Sequence, residues 1–205
     1  MSELWRGAAP LLLASKSQTR RGLLAAAGIP FEIRDSAIDE RGVEAPLLAE
    51  GAGAEEIARR LARAKALAVG APNPGRLVLG ADQTLGLEDR VFAKPRDRAG
   101  AAAQLEALSG RTHELYSAIC VVRGNRILFE AAPAARLTMR RLSREFIETY
   151  VGLAGDSVLA SVGAYQLEGL GIHLFEKIEG DHATVLGLPL LPLLAYLRAE
   201  GSLFG

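Results

Sequence analysis

The segment Leu77-Val78-Leu79-Gly80-Ala81-Asp82-Gln83 constrains the chain most: three apolar residues run into a glycine, an alanine, an acid and an amide. A short continuous apolar run suits a strand covered on both faces, which places the chain in the α/β class. Gly80 lets backbone or ligand come close just before the carboxylate. The pattern predicts a strand ending near Asp82, putting the acid at the edge where open α/β sheets bind ligands. Asp is also a common turn residue, so this segment alone is equally satisfied by a capped turn.

The segment Leu11-Leu12-Leu13 repeats the theme as a first buried strand. It breaks at Ala14-Ser15-Lys16-Ser17-Gln18-Thr19-Arg20-Arg21 before an amphipathic helix through Leu23, Leu24 and Ala27, closed by Gly28 and Pro30. Strand, polar turn and helix make an anion site. Ser15 or Ser17 can cap the helix, its free N–H groups face the turn, and the dipole adds to Lys16, Arg20 and Arg21. Phe31-Glu32-Ile33 reads as a second strand leading to Asp39-Glu40, two adjacent acids of the kind that Mg²⁺ takes together with phosphate oxygens.

Residues 41–53, rich in Gly, Ala and Glu, read as a mobile loop before a helix over residues 54–69. In that helix Ile57, Leu61, Ala64 and Ala68 form the expected apolar stripe, with Lys65 beside it and able to reach inward. Lys94 is held by Pro95, which favours an extended backbone before it. A helix follows from Asp97 to Leu108, and then two extended stretches, residues 112–122 and 127–139, joined as a hairpin. The next expected helix covers residues 143–151. Gly163 to Ile172 carries three glycines, residues 172–178 alternate as a strand, and Gly187-Leu188-Pro189 opens a last apolar helix. His113, His173 and His182 lack metal-ligand spacing and are expected at polar surface or supporting positions.

At 205 residues the chain is long enough for a core without covalent staples, and one unit spanning 1–205 is the expectation. Lys+Arg and Asp+Glu both number 24, so no global field recruits nucleic acid or an anionic membrane. The single Cys120 lies in an apolar run, which excludes an internal disulfide and suits a reducing cytoplasmic setting. No apolar run reaches transmembrane length, and the first six residues lack a signal peptide's order. No Gly-x-Gly-x-x-Gly fingerprint follows the first strand, which argues against a dinucleotide-dependent oxidoreductase.

Taken together, the segments Leu13-Ala14-Ser15-Lys16-Ser17 with Arg20-Arg21, Asp39-Glu40, Ala64-Lys65-Ala66, Gly80-Ala81-Asp82, Lys94-Pro95, Leu108-Ser109-Gly110, Glu168-Gly169 and Gly187-Leu188-Pro189-Leu190 resemble the Maf family of nucleoside triphosphate pyrophosphatases. Gln83 and Glu168, with Glu168-Gly169-Leu170-Gly171-Ile172, resemble the branch acting on 7-methyl-GTP rather than the dTTP/UTP branch. Thr19 departs from that branch, which can carry Trp there, and Ala160-Ser161-Val162 lacks the Asp-Lys-Ala of many relatives in the other branch.

The resemblance implies an α/β fold like that of the Maf and inosine triphosphate pyrophosphatases, a central mixed sheet flanked by helices with a cleft between two lobes, often a homodimer. It implies hydrolysis between the α- and β-phosphates, with Asp82 as general base and Asp39, Glu40 and Asp82 holding Mg²⁺ or Mn²⁺. Glu40, Lys65 and Lys94 would join Asp82 in catalysis. Ser15, Ser17, Thr19, Arg20, Arg21, Gln83 and Glu168 would bind the nucleotide. The alternatives are a dTTP/UTP pyrophosphatase and a nucleotide-binding regulator of cell division with little catalysis.

Overall fold

Ten consecutive main-chain pairs, from Leu77↔Arg123 to Gly86↔Glu114, join the two longest strands into the spine of the molecule. The computed structural model describes residues 4–205, so Met1 to Glu3 of the N-terminal reading lie outside the described residues. In chain order the elements are β1 (Leu11–Ala14), α1 (Gln18–Ala26), β2 (Phe31–Ile33), α2 (Glu40–Ala49), α3 (Ala54–Gly70), β3 (Leu77–Leu87), β4 (Arg90–Phe92) and α4 (Arg98–Leu108). They continue as β5 (Thr112–Arg123), β6 (Arg126–Ala131), β7 (Ala134–Met139), α5 (Arg144–Ala154), β8 (Phe175–Glu179), α6 (His182–Val185) and α7 (Leu190–Ala199).

The strands form one eight-stranded sheet in the order β2-β1-β3-β5-β7-β8, with β4 on β3 and β6 on β5. β1 runs parallel to β2 and β3, and the other pairings are antiparallel, so the sheet is mixed as expected. Side chains alternate across it. On one face Val78, Ala118, Cys120 and Val122 pack against Ala58, Ala62, Ala66 and Val69 of α3. On the other, Leu79, Ala81, Ile119 and Val121 pack against Leu24 of α1 and Leu193 and Leu197 of α7. Further along the same two strands, Leu85, Leu87 and Leu115 belong to a separate core with α4, α5 and β7. Between the cores β3 and β5 turn polar at Asp82, Gln83, Thr84 and Ser117. The seam between two cores is thus built into the spine itself.

Several expectations need correction. Asp82 does not end its strand: β3 continues five residues beyond it to Leu87, because β5 pairs with it throughout. Residues 41–53 are not a loop for most of their length but helix α2, which buries none of its residues fully and so carries no strong apolar stripe. In α3 the buried face is Ile57, Ala58, Leu61, Ala62, Lys65, Ala66 and Val69; Lys65 is within the stripe, and Ala68 is exposed. The second extended stretch divides at Ala132-Pro133, where proline cannot donate to a ladder. Residues 170–174 form a 3₁₀ turn, and β8 starts only at Phe175. His113 lies in the core at 1% exposure. Among the described residues no helix is long and apolar enough to cross a membrane.

Candidate active site

Gly80 sets how the site is assembled. A Cβ at Gly80 would overlap the Ala62 carbonyl and lie 2.6 Å from the Ala66 amide nitrogen, so α3 lies on β3 at a distance only glycine permits. That contact brings Lys65, one residue before Ala66, to Asp82, two residues after Gly80. Both side chains point to the face shared by Val78 and Thr84, whose hydroxyl donates to the Ala54 carbonyl at 2.5 Å. Lys65 Nζ is 2.5 Å from Asp82 Oδ1 and 2.8 Å from Glu40 Oε1, with Lys65 and Asp82 each 7% exposed. Burial pushes the Asp82 carboxyl above its usual range, while the nearby Lys65 and Arg20 charges pull it back.

The anion turn closes on the same point from the neighbouring strand. The register Ala14↔Gly80 sets the end of β1 beside the middle of β3. Ser17 caps α1 by accepting from the Arg20 backbone N–H at 3.3 Å. Arg20 Nη1 donates to the Ala81 carbonyl at 2.9 Å and to Ser15 Oγ at 3.1 Å, and its Nε donates to the Gly187 carbonyl at 2.7 Å. Ser15 Oγ also accepts from the Ser17 N–H, so the Ser15 hydroxyl proton is left to donate elsewhere. These three bonds use Arg20 Nε and Nη1 and not Nη2. Burial lowers the Arg20 pKa, opposed by the Asp82 and Glu40 charges. Arg21 is half-buried, with Nε unpartnered among the described residues. Lys16 is exposed and pairs with Asp35 at 2.6 Å.

Three further residues meet on the opposite face of β3. Gln83, next in the strand to Asp82, points the other way and lines a small cavity of about 50 Å³ with Thr19, Tyr165, Glu168, Leu115 and Val185. Thr19 Oγ1 donates to Glu168 Oε1 across 3.2 Å. Gln83 Nε2 donates to Ser117 Oγ at 3.0 Å, to the Val185 carbonyl at 2.9 Å and to the Thr184 carbonyl at 3.3 Å. Those acceptors fix the amide: a flipped Gln83 would set its oxygen against two carbonyls. Its Oε1 is therefore the atom on the Gly187 side. Gly187 joins the two halves, since a Cβ there would lie 3.5 Å from Gln83 Oε1 and 3.6 Å from Arg20 Nε.

Two of the sequence candidates stand apart. The Asp39 carboxylate turns back over its own helix, where a Cβ on Gly42 would lie 2.7 Å from its Oδ2, while Glu40 one residue later faces Lys65. Lys94 is exposed and lines a different cavity of about 340 Å³ with Arg90, Arg96, Asp97 and Gln104. Glu44 was not singled out from the sequence. Burial and the Asp82 and Glu40 charges raise its pKa, which places it in the same acidic environment. Its signal is the four-residue spacing from Glu40, visible only once α2 is known to be a helix.

Among the described residues no group of three His, Cys, Asp or Glu side chains is placed to hold a metal ion. Glu40 and Asp82 converge on the Lys65 ammonium, and two carboxylates are what Mg²⁺ takes when substrate phosphates and water complete its shell. By donor type the pair suits such an ion only where substrate phosphates supply most of its ligands.

A mixed α/β sheet, a capped basic turn and a buried Lys65–Asp82 pair thus lie together in one structure. Residues 10–200 match the family described as Maf-like protein, and the chain belongs to the Maf family. A nucleoside triphosphate pyrophosphatase from Nitrobacter winogradskyi is 58% identical over 197 residues, 96% of each chain. A 7-methyl-GTP pyrophosphatase from Brucella abortus is 52% identical over 195 residues, 95% of this chain and 98% of that one. A solved dITP/XTP pyrophosphatase from Mycobacterium abscessus shows a weak likeness, with a TM-score of 0.41 and 16% identity over 94% of this chain and 95% of that one.

Proposed function

We propose that this protein hydrolyses nucleoside triphosphates between the α- and β-phosphates, releasing nucleoside monophosphate and pyrophosphate, with 7-methyl-GTP or another modified nucleotide as substrate. The observation that carries the reading is the buried Lys65–Asp82 pair set against the capped turn of Ser15, Ser17 and Arg20. Asp82 is the general base for the attacking water: burial raises its pKa, which makes the carboxylate a better proton acceptor, while Lys65 and Arg20 oppose that rise. Ser15, Arg20 Nη2 and the N-terminus of α1 receive the triphosphate, and Lys65 and Arg20 offset charge on the departing pyrophosphate.

Glu40 and Asp82 would hold Mg²⁺ or Mn²⁺, which when bound neutralises phosphate charge. Lys94, which lines a different cavity, keeps a part in triphosphate binding on the family resemblance alone.

The base preference rests on acceptors. Gln83 Oε1 and the Glu168 carboxylate suit the N1–H and N2–H₂ donors of guanine, and the negative charge suits a methylated, cationic ring. The relative from Brucella abortus named 7-methyl-GTP pyrophosphatase supports this choice. Thr19 supplies no stacking ring and instead orients Glu168. A cytoplasmic setting and a homodimer belong to the same reading, the first on the single buried thiol, whose pKa burial pushes up to about 12, and the second on the family resemblance.

The test is pyrophosphate release from 7-methyl-GTP, GTP, dTTP and UTP, side by side with Mg²⁺ or Mn²⁺. The reading expects release from all or some, greatest with 7-methyl-GTP. Greatest release with dTTP or UTP would reassign the base. Tight binding without release would favour a nucleotide-binding regulator.

A further inference from the structure

One buried imidazole stands outside the chemistry described so far. His113, on β5 opposite Leu137 of β7, is enclosed by the core of the α4–α5 side. An apolar side chain would fill that volume without the cost of burying two ring nitrogens. What the imidazole adds is one bond: its Nε2 is 2.7 Å from the Tyr165 hydroxyl, while Nδ1 has no partner among the described residues. The ring is neutral, its pKa lowered by burial to about 4.

Tyr165 is the inner wall of the cavity that holds Thr19, Gln83 and Glu168. The segment leading to it is strained. Gly163 has φ +76°, and Ala164 has φ +62°, a left-handed backbone that a residue with a Cβ rarely adopts. Such a segment persists only where its surroundings hold it. Gln104 Oε1 accepts from the Gly163 N–H at 3.1 Å, and the Tyr150 hydroxyl donates to the Ala164 carbonyl at 3.3 Å. The Tyr165 ring meets Phe175 edge-on, with centroids 4.8 Å apart. Beyond it, the Gln166 carbonyl accepts the N–H groups of Gly169 and Gly171, each at 3.2 Å, and so closes the turn that carries Glu168.

We propose that His113 is a positioning residue for base recognition: by holding the Tyr165 hydroxyl it fixes the depth and direction of the segment from Gly163 to Glu168, and so sets the Glu168 carboxylate beside Gln83. The inference rests on the nucleotide reading above, and names a residue that never touches the nucleotide.

The test is steady-state kinetics of Tyr165→Phe, His113→Phe and the double variant, with 7-methyl-GTP and GTP. Tyr165→Phe keeps the ring and removes only the bonded hydroxyl, so it carries the test even if His113→Phe fails to fold. The expected result is a KM about 3- to 10-fold higher, the effect of one lost buried hydrogen bond, with kcat changed by less than about twofold. The double variant is expected to be no worse than either single one, because the two residues share one bond. A His113→Gln variant, which can still bond the hydroxyl, is expected to recover part of the lost KM. A lowered melting temperature with KM unchanged for both nucleotides would overturn the proposal and leave His113 a packing residue. If the wild-type protein releases no pyrophosphate, the functional reading falls, and the calorimetric Kd of 7-methyl-GTP takes the place of KM. Equal Kd in wild type and Tyr165→Phe would then overturn the positioning role alone, and absence of binding would overturn both.

Discussion

Lys65 Nζ and Asp82 Oδ1 are 2.5 Å apart, and the bond between them joins a helix to the middle of a strand two residues beyond Gly80, where no side chain holds the helix away. Asp82 and Lys65 meet because Gly80 lets α3 lie on β3. Gly80→Ala is therefore expected to lose both stability and activity. Its methyl group meets the Ala62 carbonyl and the Ala66 amide of α3, and overpacking of this kind costs about 1–3 kcal/mol. Denaturant unfolding checks the first loss, and pyrophosphate release measured well below the melting temperature checks the second. A variant with unchanged turnover would mean that the helix contact does not set the pair.

Lys65 also governs the pH at which Asp82 works. Burial raises the Asp82 pKa, and Lys65, then Arg20, lower it, against smaller repulsion from Glu40. Removing the Lys65 charge in Lys65→Gln leaves burial less opposed, so the Asp82 pKa rises. A base must be deprotonated to act, so the acid limb of kcat/KM is expected to move to higher pH. The check is a pH–rate profile of both proteins at fixed free Mg²⁺; an acid limb that stays put or moves down contradicts the pairing.

His113 makes a separate prediction on stability. Its folded pKa, about 4, lies below the 6.5 of the unfolded chain. The unfolded state therefore takes up a proton first as pH falls. The contribution is fully present above pH 6.5 and is lost progressively down to pH 4. At about 1.4 kcal/mol per pH unit the loss approaches about 3 kcal/mol. Between pH 7 and pH 4 the unfolding free energy of wild type should fall by about this amount more than that of His113→Phe. Parallel curves would show that His113 is not a neutral buried imidazole.

Glu168 is expected to separate guanine from pyrimidine nucleotides. In Glu168→Gln the amide keeps the shape but loses the charge and one acceptor. A charge-assisted hydrogen bond contributes about 1.5–3 kcal/mol, so kcat/KM for 7-methyl-GTP should fall about 10- to 100-fold, with a smaller change for UTP. An equal fall for both nucleotides would place Glu168 outside base recognition.

Much of this was legible in the sequence, and the exceptions have physical causes. The strands at Leu11 and Leu77 announce themselves because each is an apolar run buried on both faces, and α4 and α5 because Asp97 and Ser143 cap them. α2 was hidden because it buries no residue fully, and with it went the four-residue spacing that links Glu40 to Glu44. β3 looked shorter than it is because the seam between two cores interrupts the apolar pattern at Asp82 while the ladder to β5 continues. That continuity has a consequence for the site. Asp82 and Gln83, adjacent in sequence, face opposite sides of the sheet, so the Lys65–Asp82 pair and the cavity lined by Gln83 and Glu168 are divided by one strand, with Gly187 near both Gln83 and Arg20. The places of Asp39 and Lys94 follow from side-chain direction at a helix start and beyond a hairpin, which residue type and spacing do not carry.

The central claim is that Asp82 is the base of a nucleoside triphosphate pyrophosphatase. The most direct measurement is kcat for pyrophosphate release from 7-methyl-GTP by wild-type protein and Asp82→Asn, each shown to be folded by its circular dichroism and melting curve. The account predicts a fall of about 10²- to 10⁴-fold with the fold intact. Near-native turnover in the folded variant would contradict it.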